Sequence, residues 1–311
     1  MTAKSRAGFA GRTVCLAFAL VLGQGTFSGA DLQVTVVPAK QTFLLGEPVY
    51  VNVTLKNSGA EAVSVSADPL MFGLVIRILP PGSSEPVRWS AGANADGYRE
   101  LRQLNVGGEF RDRGLISHYF GKCNFPVPGA YQVWGEYVEA GIRAVSEQVE
   151  VVVTQPSEVD AKAKDLFFSE AGQFFVHPGG YTLPSQWGMT PAIADFERIV
   201  SEFPTSAYAP YAAYYLARRK SKPGRYNLAP EQPSDPIPPD YARAIELAHF
   251  AESNAAFPLK GEARLLQAEC YFEQGDRKKA NALLQSVGSL PGLSQRGRAE
   301  ALVAKLMEPA Q

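Results

Sequence analysis

Tyr208, Tyr211 and Tyr215 recur at the three- and four-residue spacing of one helical face, with Tyr214 beside them, and no other pattern in the chain has a clearer chemical meaning. Tyrosine offers a broad apolar ring with a polar tip, a combination favoured where one protein surface grips another. The chemistry implied is recognition without bond making. The same stripe at helical spacing also serves as ordinary packing, and spacing alone leaves both readings open.

For catalysis the residues offer little. The sequence has no nucleophile elbow, no glycine-rich phosphate loop, no zinc-protease helix and no Cys–His pairing in a recognisable context. Glu136 and Glu139 are carboxylates that could in principle exchange protons, but nothing in their setting separates them from solvated strand residues. His118, His177 and His249 stand far apart, and Cys123 and Cys270 have no metal-ligand spacing. Gly92–Gly97 has a faint likeness to a calcium loop. It lacks the first aspartate, and Gln103 stands where a bidentate glutamate is needed. Asn52-Val53-Thr54 fits a glycosylation sequon but lies mid-strand, where it is read as chance. The expectation is therefore a protein that is not an enzyme, with no catalytic residue, no cofactor and no metal.

The elements that must position the tyrosines come from the wider pattern. The chain has 311 residues, 46% of them apolar and 20% charged, which suits two compact domains with full cores. Residues 1–30 carry Lys4, Arg6 and Arg12 and no acid, followed by an apolar run from Val14 to Gly23 and small residues up to Ala30. That run is too short to span a bilayer, so the segment reads as a signal peptide cleaved after Ala30. Without it, 27 basic residues face 31 acidic ones. No basic block survives to neutralise phosphates, and nucleic acid is not an expected partner. Membrane insertion after cleavage is not expected either. Export permits disulfides, yet Cys123 and Cys270 fall in different expected domains and are read as isolated buried thiols.

From Asp31 to Thr154 the pattern has period two. Val49, Val51, Val53 and Leu55 alternate with Tyr50, Asn52, Thr54 and Lys56, as in a half-buried antiparallel strand. Further strands are expected at 32–37, 62–66, 72–79, 115–120, 131–138 and 148–153, whereas 89–110 reads as a long loop. Seven short strands at this spacing indicate a β-sandwich. Phe43-Leu44-Leu45-Gly46-Glu47-Pro48-Val49, followed by Asn57-Ser58-Gly59, resembles the opening of bacterial immunoglobulin-like modules. Pro128-Gly129-Ala130-Tyr131 resembles their tyrosine corner, in which the Tyr131 hydroxyl would bond back to the chain. Val133 stands where antibody domains carry a cysteine, so packing alone would hold the sheets together.

Near Pro156 the period changes to about 3.6. Ser157 and Asp160 have capping-box spacing ahead of Val159, Ala163, Leu166 and Phe167. Ala192, Phe196, Ile199 and Pro204 fit the second helix of a tetratricopeptide (TPR) unit. Thr205 to Ala217 resembles the junction of periplasmic TPR proteins such as the Tol–Pal coordinator and outer-membrane assembly lipoproteins, with Ala217 in place of their glycine. Ala268, Tyr271, Gly275, Ala280 and Leu284 repeat the unit, and Ala244–Ala251 and Ala299–Leu306 mark two further helices. Residues 221–240 hold six prolines, an insertion that excludes helix.

The expected fold is thus multidomain: an all-β immunoglobulin-like sandwich at 31–154, then an all-α TPR-like domain at 156–311. The resemblance implies a non-enzymatic periplasmic or extracellular protein that binds a protein or peptide, with the four tyrosines as candidates for its helical groove. Two other functions fit the same architecture, an accessory module of a hydrolytic system and a structural envelope spacer.

Overall fold

A computed structural model describes residues 31–90, 100–119, 122–139, 141–169, 172, 175–176, 190–223, 237–288, 290 and 292–308. The expected signal peptide, the calcium-like loop, His177 and most of the proline-rich insertion lie outside the described residues.

Strands occupy the first half. β1 (Leu32–Pro38), β3 (Tyr50–Asn57) and β8 (Glu109–Leu115) form an antiparallel sheet in that lateral order, with Val36 opposite Val53 and Val34 opposite Leu55. A second sheet runs β2 (Thr42–Leu44), β13 (Val149–Thr154), β11 (Gly129–Glu139), β5 (Leu74–Leu79) and β6 (Val87–Trp89), with β12 (Ile142–Val145) also paired to β11. The inward residues of both sheets, among them Val51, Val53, Ile76, Ile78, Val133 and Val151, share one core. Gly135 permits the close approach, because a Cβ there would lie 2.8 Å from Val36 Cγ2 across the gap. Tyr131 donates its hydroxyl to Val127 O at 2.7 Å, the local backbone bond expected of it.

The stretch 89–110 is not the uninterrupted loop expected from the sequence. It contains β7 (Leu101–Leu104), paired with β4 (Val63–Ser66), and the start of β8. In β7 only Leu104 is buried, and in β8 the inward set is Phe110, Asp112 and Gly114, so no apolar alternation marks either strand. The single strand expected at 115–120 is also divided: β8 ends at Leu115, and β9 (His118–Tyr119) turns back to pair with β10 (Lys122–Cys123).

Helices follow: α1 (Glu158–Phe167), α2 (Thr190–Glu202), α3 (Ala209–Lys220), α4 (Tyr241–Ser253), α5 (Lys260–Glu273), α6 (Arg277–Ser286) and α7 (Leu293–Met307). Ser157 caps α1 by accepting from Asp160 N, while Asp240 and Asp276 cap α4 and α6 in the same way. Small residues, including Ala212, Ala213, Ala248, Ala251 and Ala263, are buried where α3, α4 and α5 pack side by side. Phe167 of α1 stacks on Phe196 of α2 at 4.9 Å. The end of α3 meets the start of α4 where Asp240 N donates to Lys220 O at 2.8 Å. No helix among the described residues is long and apolar enough to cross a membrane.

Candidate functional site

The tyrosine stripe lies on α3, preceded by Ser206, whose hydroxyl accepts from Ala209 N, and with Pro210 in the first turn. Pro210 has no N–H to leave unsatisfied there, and the alanines at 212, 213 and 217 let neighbouring helices close in. All four tyrosines are buried, none more than 4% exposed. The hydroxyls of Tyr208, Tyr211 and Tyr215 meet the strand region of the same chain. Tyr208 donates to Leu45 O at 2.7 Å, and Tyr211 donates to Glu47 Oε1 at 2.9 Å. The Tyr215 and Tyr50 hydroxyls bond directly to each other. Tyr214 packs at 5.8 Å from the Phe257 ring, with the Arg218 guanidinium 5.9 Å from its own.

The structure therefore places Tyr208, Tyr211 and Tyr215 at a contact between strands and helices and Tyr214 among the helices, all four buried. A helical stripe of tyrosines reads the same whether its acceptors belong to another protein or to residues far earlier in the same chain. Burial is the leading reason that all four phenols are held above their ordinary value, and the Glu47 carboxylate pushes Tyr211 and Tyr208 further in the same direction. They remain neutral hydrogen-bond donors at any physiological pH.

The acceptor side is equally built. Gly46 takes a φ of +92° and packs so closely on Phe168 that a Cβ would lie 2.4 Å from the ring. This presents Leu45 O and Glu47 to α3. Glu47, 2% exposed, also accepts from Leu44 N at 2.9 Å and pairs with Lys40. Tyr50 and Leu115 join the helical core rather than the strand core.

A second anchor is ionic. Arg113 of β8 reaches Glu262 of α5 at 2.6 Å while also donating to Asn52 Oδ1 at 2.8 Å and Pro258 O at 3.3 Å. Arg296 of α7 donates to Arg111 O, so α3, α5 and α7 each hold the strand region near their N-terminal ends. Sequence reasoning missed Arg113, Glu262, Glu47 and Tyr50. Glu262 and Tyr50 carried a faint signal, a charged residue and an aromatic residue at positions whose neighbours are core.

At the opposite, C-terminal ends of α3 and α5 a cavity of about 480 Å³ opens between them and α7. Tyr241, Cys270, Phe272 and Leu302 form its apolar lining, and Lys222, Glu269, Glu273, Arg298 and Lys305 supply its charge. Arg298 pairs with Glu269 through Nε and Oε1 at 2.8 Å and a second, shorter contact. Burial works against the Lys222 ammonium, and Arg298 and Arg218 add repulsion, so its pKa lies below the ordinary lysine value.

The other candidates are structural in position. Glu136 forms a two-nitrogen bridge with Arg77 at 3.0 and 3.1 Å, and Glu139 accepts from Tyr137 at 2.6 Å and from Ser66 N at 3.1 Å. Cys123 and Cys270 are free thiols. Among the described residues no group of three His, Cys, Asp or Glu is arranged to hold a metal ion.

A tetratricopeptide repeat family model matches residues 262–290, which are most of α5, all of α6 and the turn after it. No curated protein matches the sequence. Solved structures with partial likeness include a β-glucosidase from Erythrobacter marinus, 12% identical with a TM-score of 0.28, covering 40% of this chain and 16% of that one. Others are the sporulation control protein Spo0M of Bacillus subtilis, 13% identical with a TM-score of 0.25 over 44% of this chain and 54% of that one, and the alkylpurine DNA glycosylase AlkC of Pseudomonas fluorescens. The last is 15% identical with a TM-score of 0.26 over 40% and 30%. The chain thus spans about a sixth of the β-glucosidase. Likeness this low carries no argument about fold or activity.

Proposed function

We propose that this chain is a non-enzymatic, extracytoplasmic protein-binding or scaffold protein, in which a signal peptide at 1–30 precedes an immunoglobulin-like sandwich and a TPR-like array. The observation that carries the reading is the tetratricopeptide match over α5 and α6, with α3 and α4 stacked before it and α7 after it. Arrays of this kind stack helix pairs so that a continuous surface is offered to another protein. The shared core of two sheets and the Tyr131 bond to Val127 support the immunoglobulin-like assignment of 31–154. The contacts of Tyr208, Tyr211, Tyr215 and Arg113 tie sandwich and array together, which suits a scaffold of fixed shape better than two tethered modules.

The test is chemical cross-linking of residues 31–311 in an envelope extract, followed by mass spectrometry against a matched exported control protein. A reproducible set of cross-linked proteins is expected. Recovery of nothing beyond the control would overturn the binding role. N-terminal sequencing of the protein from cells tests export separately: the expected first residue is Asp31, and an intact leader on a cytoplasmic protein would refute it.

A further inference from the structure

Among the described residues the strand region covers the N-terminal ends of α3, α5 and α7, through Tyr211, Glu262 and Arg296, and the cavity described above lies on their C-terminal side. At about 480 Å³ that cavity lies within the roughly 300–1,000 Å³ span of ligand pockets. Its floor is apolar and its charge is not balanced. Three cations, Lys222, Arg298 and Lys305, face two carboxylates, Glu269 and Glu273. Glu269 is committed to Arg298. Among the described residues no carboxylate forms an ion pair with Lys222 or Lys305, and the Lys305 ammonium lies 5.8 Å from the Phe272 ring instead. Glu273 can offset one of these two lysines. One positive charge is left over, beside a pocket lined by Tyr241, Phe272 and Leu302.

We propose that this cavity binds an acidic segment of a partner protein, an Asp or Glu carboxylate going to the Lys222 and Lys305 rim while an adjacent apolar side chain enters the pocket against Tyr241 and Phe272. The charge decides the class of partner. A basic segment would meet Glu273 alone and be repelled by Lys222 and Lys305, and an uncharged one would leave one of these two lysines without a carboxylate, with Lys222 still in the field of Arg298 and Arg218. An arriving carboxylate relieves that repulsion, so its binding raises the Lys222 pKa toward the ordinary lysine value. The apolar neighbour supplies the burial that a surface charge contact lacks on its own.

This inference rests on the protein-binding reading above and names where and what it binds. It is tested by fluorescence anisotropy of residues 31–311 with pools of labelled peptides that share aromatic and aliphatic positions but carry acidic, amide or basic residues between them. The acidic pool is expected to bind most tightly and to weaken as salt is raised. The double variant Lys222→Glu, Lys305→Glu is expected to lose about tenfold in affinity. Lys278→Glu, an exposed lysine on α6 away from the cavity, is expected to change nothing, and circular dichroism checks that each variant is folded. Equal binding of the three pools, or an affinity untouched by the double reversal, overturns the inference. The two levels separate in the cross-linking experiment. Partners captured equally by wild type and double variant leave the binding role standing and remove this site, whereas a wild type that captures nothing removes the role itself.

Discussion

Removing Arg113 should cost more than removing the carboxylate it pairs with, and the difference should depend on pH. Arg113 and Glu262 are 10% and 2% exposed at the side chain and 2.6 Å apart, with Asn52 Oδ1 and Pro258 O as further acceptors for the guanidinium. In Glu262→Gln the guanidinium keeps both of those acceptors, and the amide replaces a charged contact with a neutral one. A loss of about 1.5–3 kcal/mol follows from the worth of a hydrogen bond to a charged group. In Arg113→Ala the Glu262 carboxylate stays buried without its counter-ion, for which about 3–5 kcal/mol is the usual cost. Burial already raises the Glu262 pKa above its ordinary 4.5, with Arg113 pulling it part of the way back. A carboxyl whose folded pKa exceeds its unfolded one takes up protons preferentially in the folded state. Its contribution to stability therefore falls as pH rises from the unfolded value through the raised folded one. Without Arg113 the rise is larger, so the Arg113→Ala penalty should be smallest near pH 4.5 and grow as the pH is raised above it. Urea unfolding of residues 31–311 measures this, with helix followed by circular dichroism and strands by Trp89 and Trp134 fluorescence in a Trp187→Phe background. Both probes should share one midpoint, since the helical core contains Tyr50 and Leu115 from the strands. A penalty below about 1 kcal/mol at pH 8, or one that grows on acidification, would refute the reasoning.

Two further outcomes follow from the same contact and from the cavity floor. Gly46→Ala should destabilise by about 1–3 kcal/mol, combining a left-handed φ with a methyl 2.4 Å from the Phe168 ring, whereas Gly82→Ala, at φ +71° with nothing within 4 Å, should bear the backbone cost alone; equal urea midpoints for the two variants would exclude the clash. Cys270 is 1% exposed, and its thiol is pushed up to about 12 by burial and then by Glu269, so a disulfide reagent at pH 8 should leave it unlabelled in the folded protein and modify both Cys123 and Cys270 after urea is added. Mass spectrometry of the native reaction checks this, and prompt labelling of Cys270 would contradict its burial.

Much of the scaffold was legible because a single period governs it. The alternation in Val49–Leu55 became β3, and the Ser157–Asp160 spacing became the cap of α1. The small and large residues from Ala268 to Leu284 became the α5–α6 pair that matches the repeat model. What escaped had no period to read. β8 turns Asp112 and Gly114 inward and Arg111 outward, and its role as a strand follows from its pairing with β3 rather than from its own composition. The cavity was invisible for a similar reason: its charged walls come from two helices, α5 and α7, and from Lys222 just beyond the end of α3.

The tyrosines show where sequence reasoning fails in principle. Their spacing predicts a shared face and says nothing of what meets it, since the partners Leu45, Glu47 and Tyr50 lie 163 to 165 residues earlier. Phenylalanine would bury as much ring, so packing alone does not account for the hydroxyls. Each hydroxyl that reaches the strands is spent on one fixed partner: a turn carbonyl, a carboxylate itself held by Lys40 and Leu44 N, and a second phenol. A buried hydroxyl without its partner costs about 1–3 kcal/mol, so any rotation of the helices over the sheets that breaks these bonds is penalised at several places at once. The Phe43–Val49 motif and the tyrosine stripe, read from the sequence as signatures of two separate modules, are therefore the two halves of one joint. That joint fixes which end of α3, α5 and α7 the strand region covers.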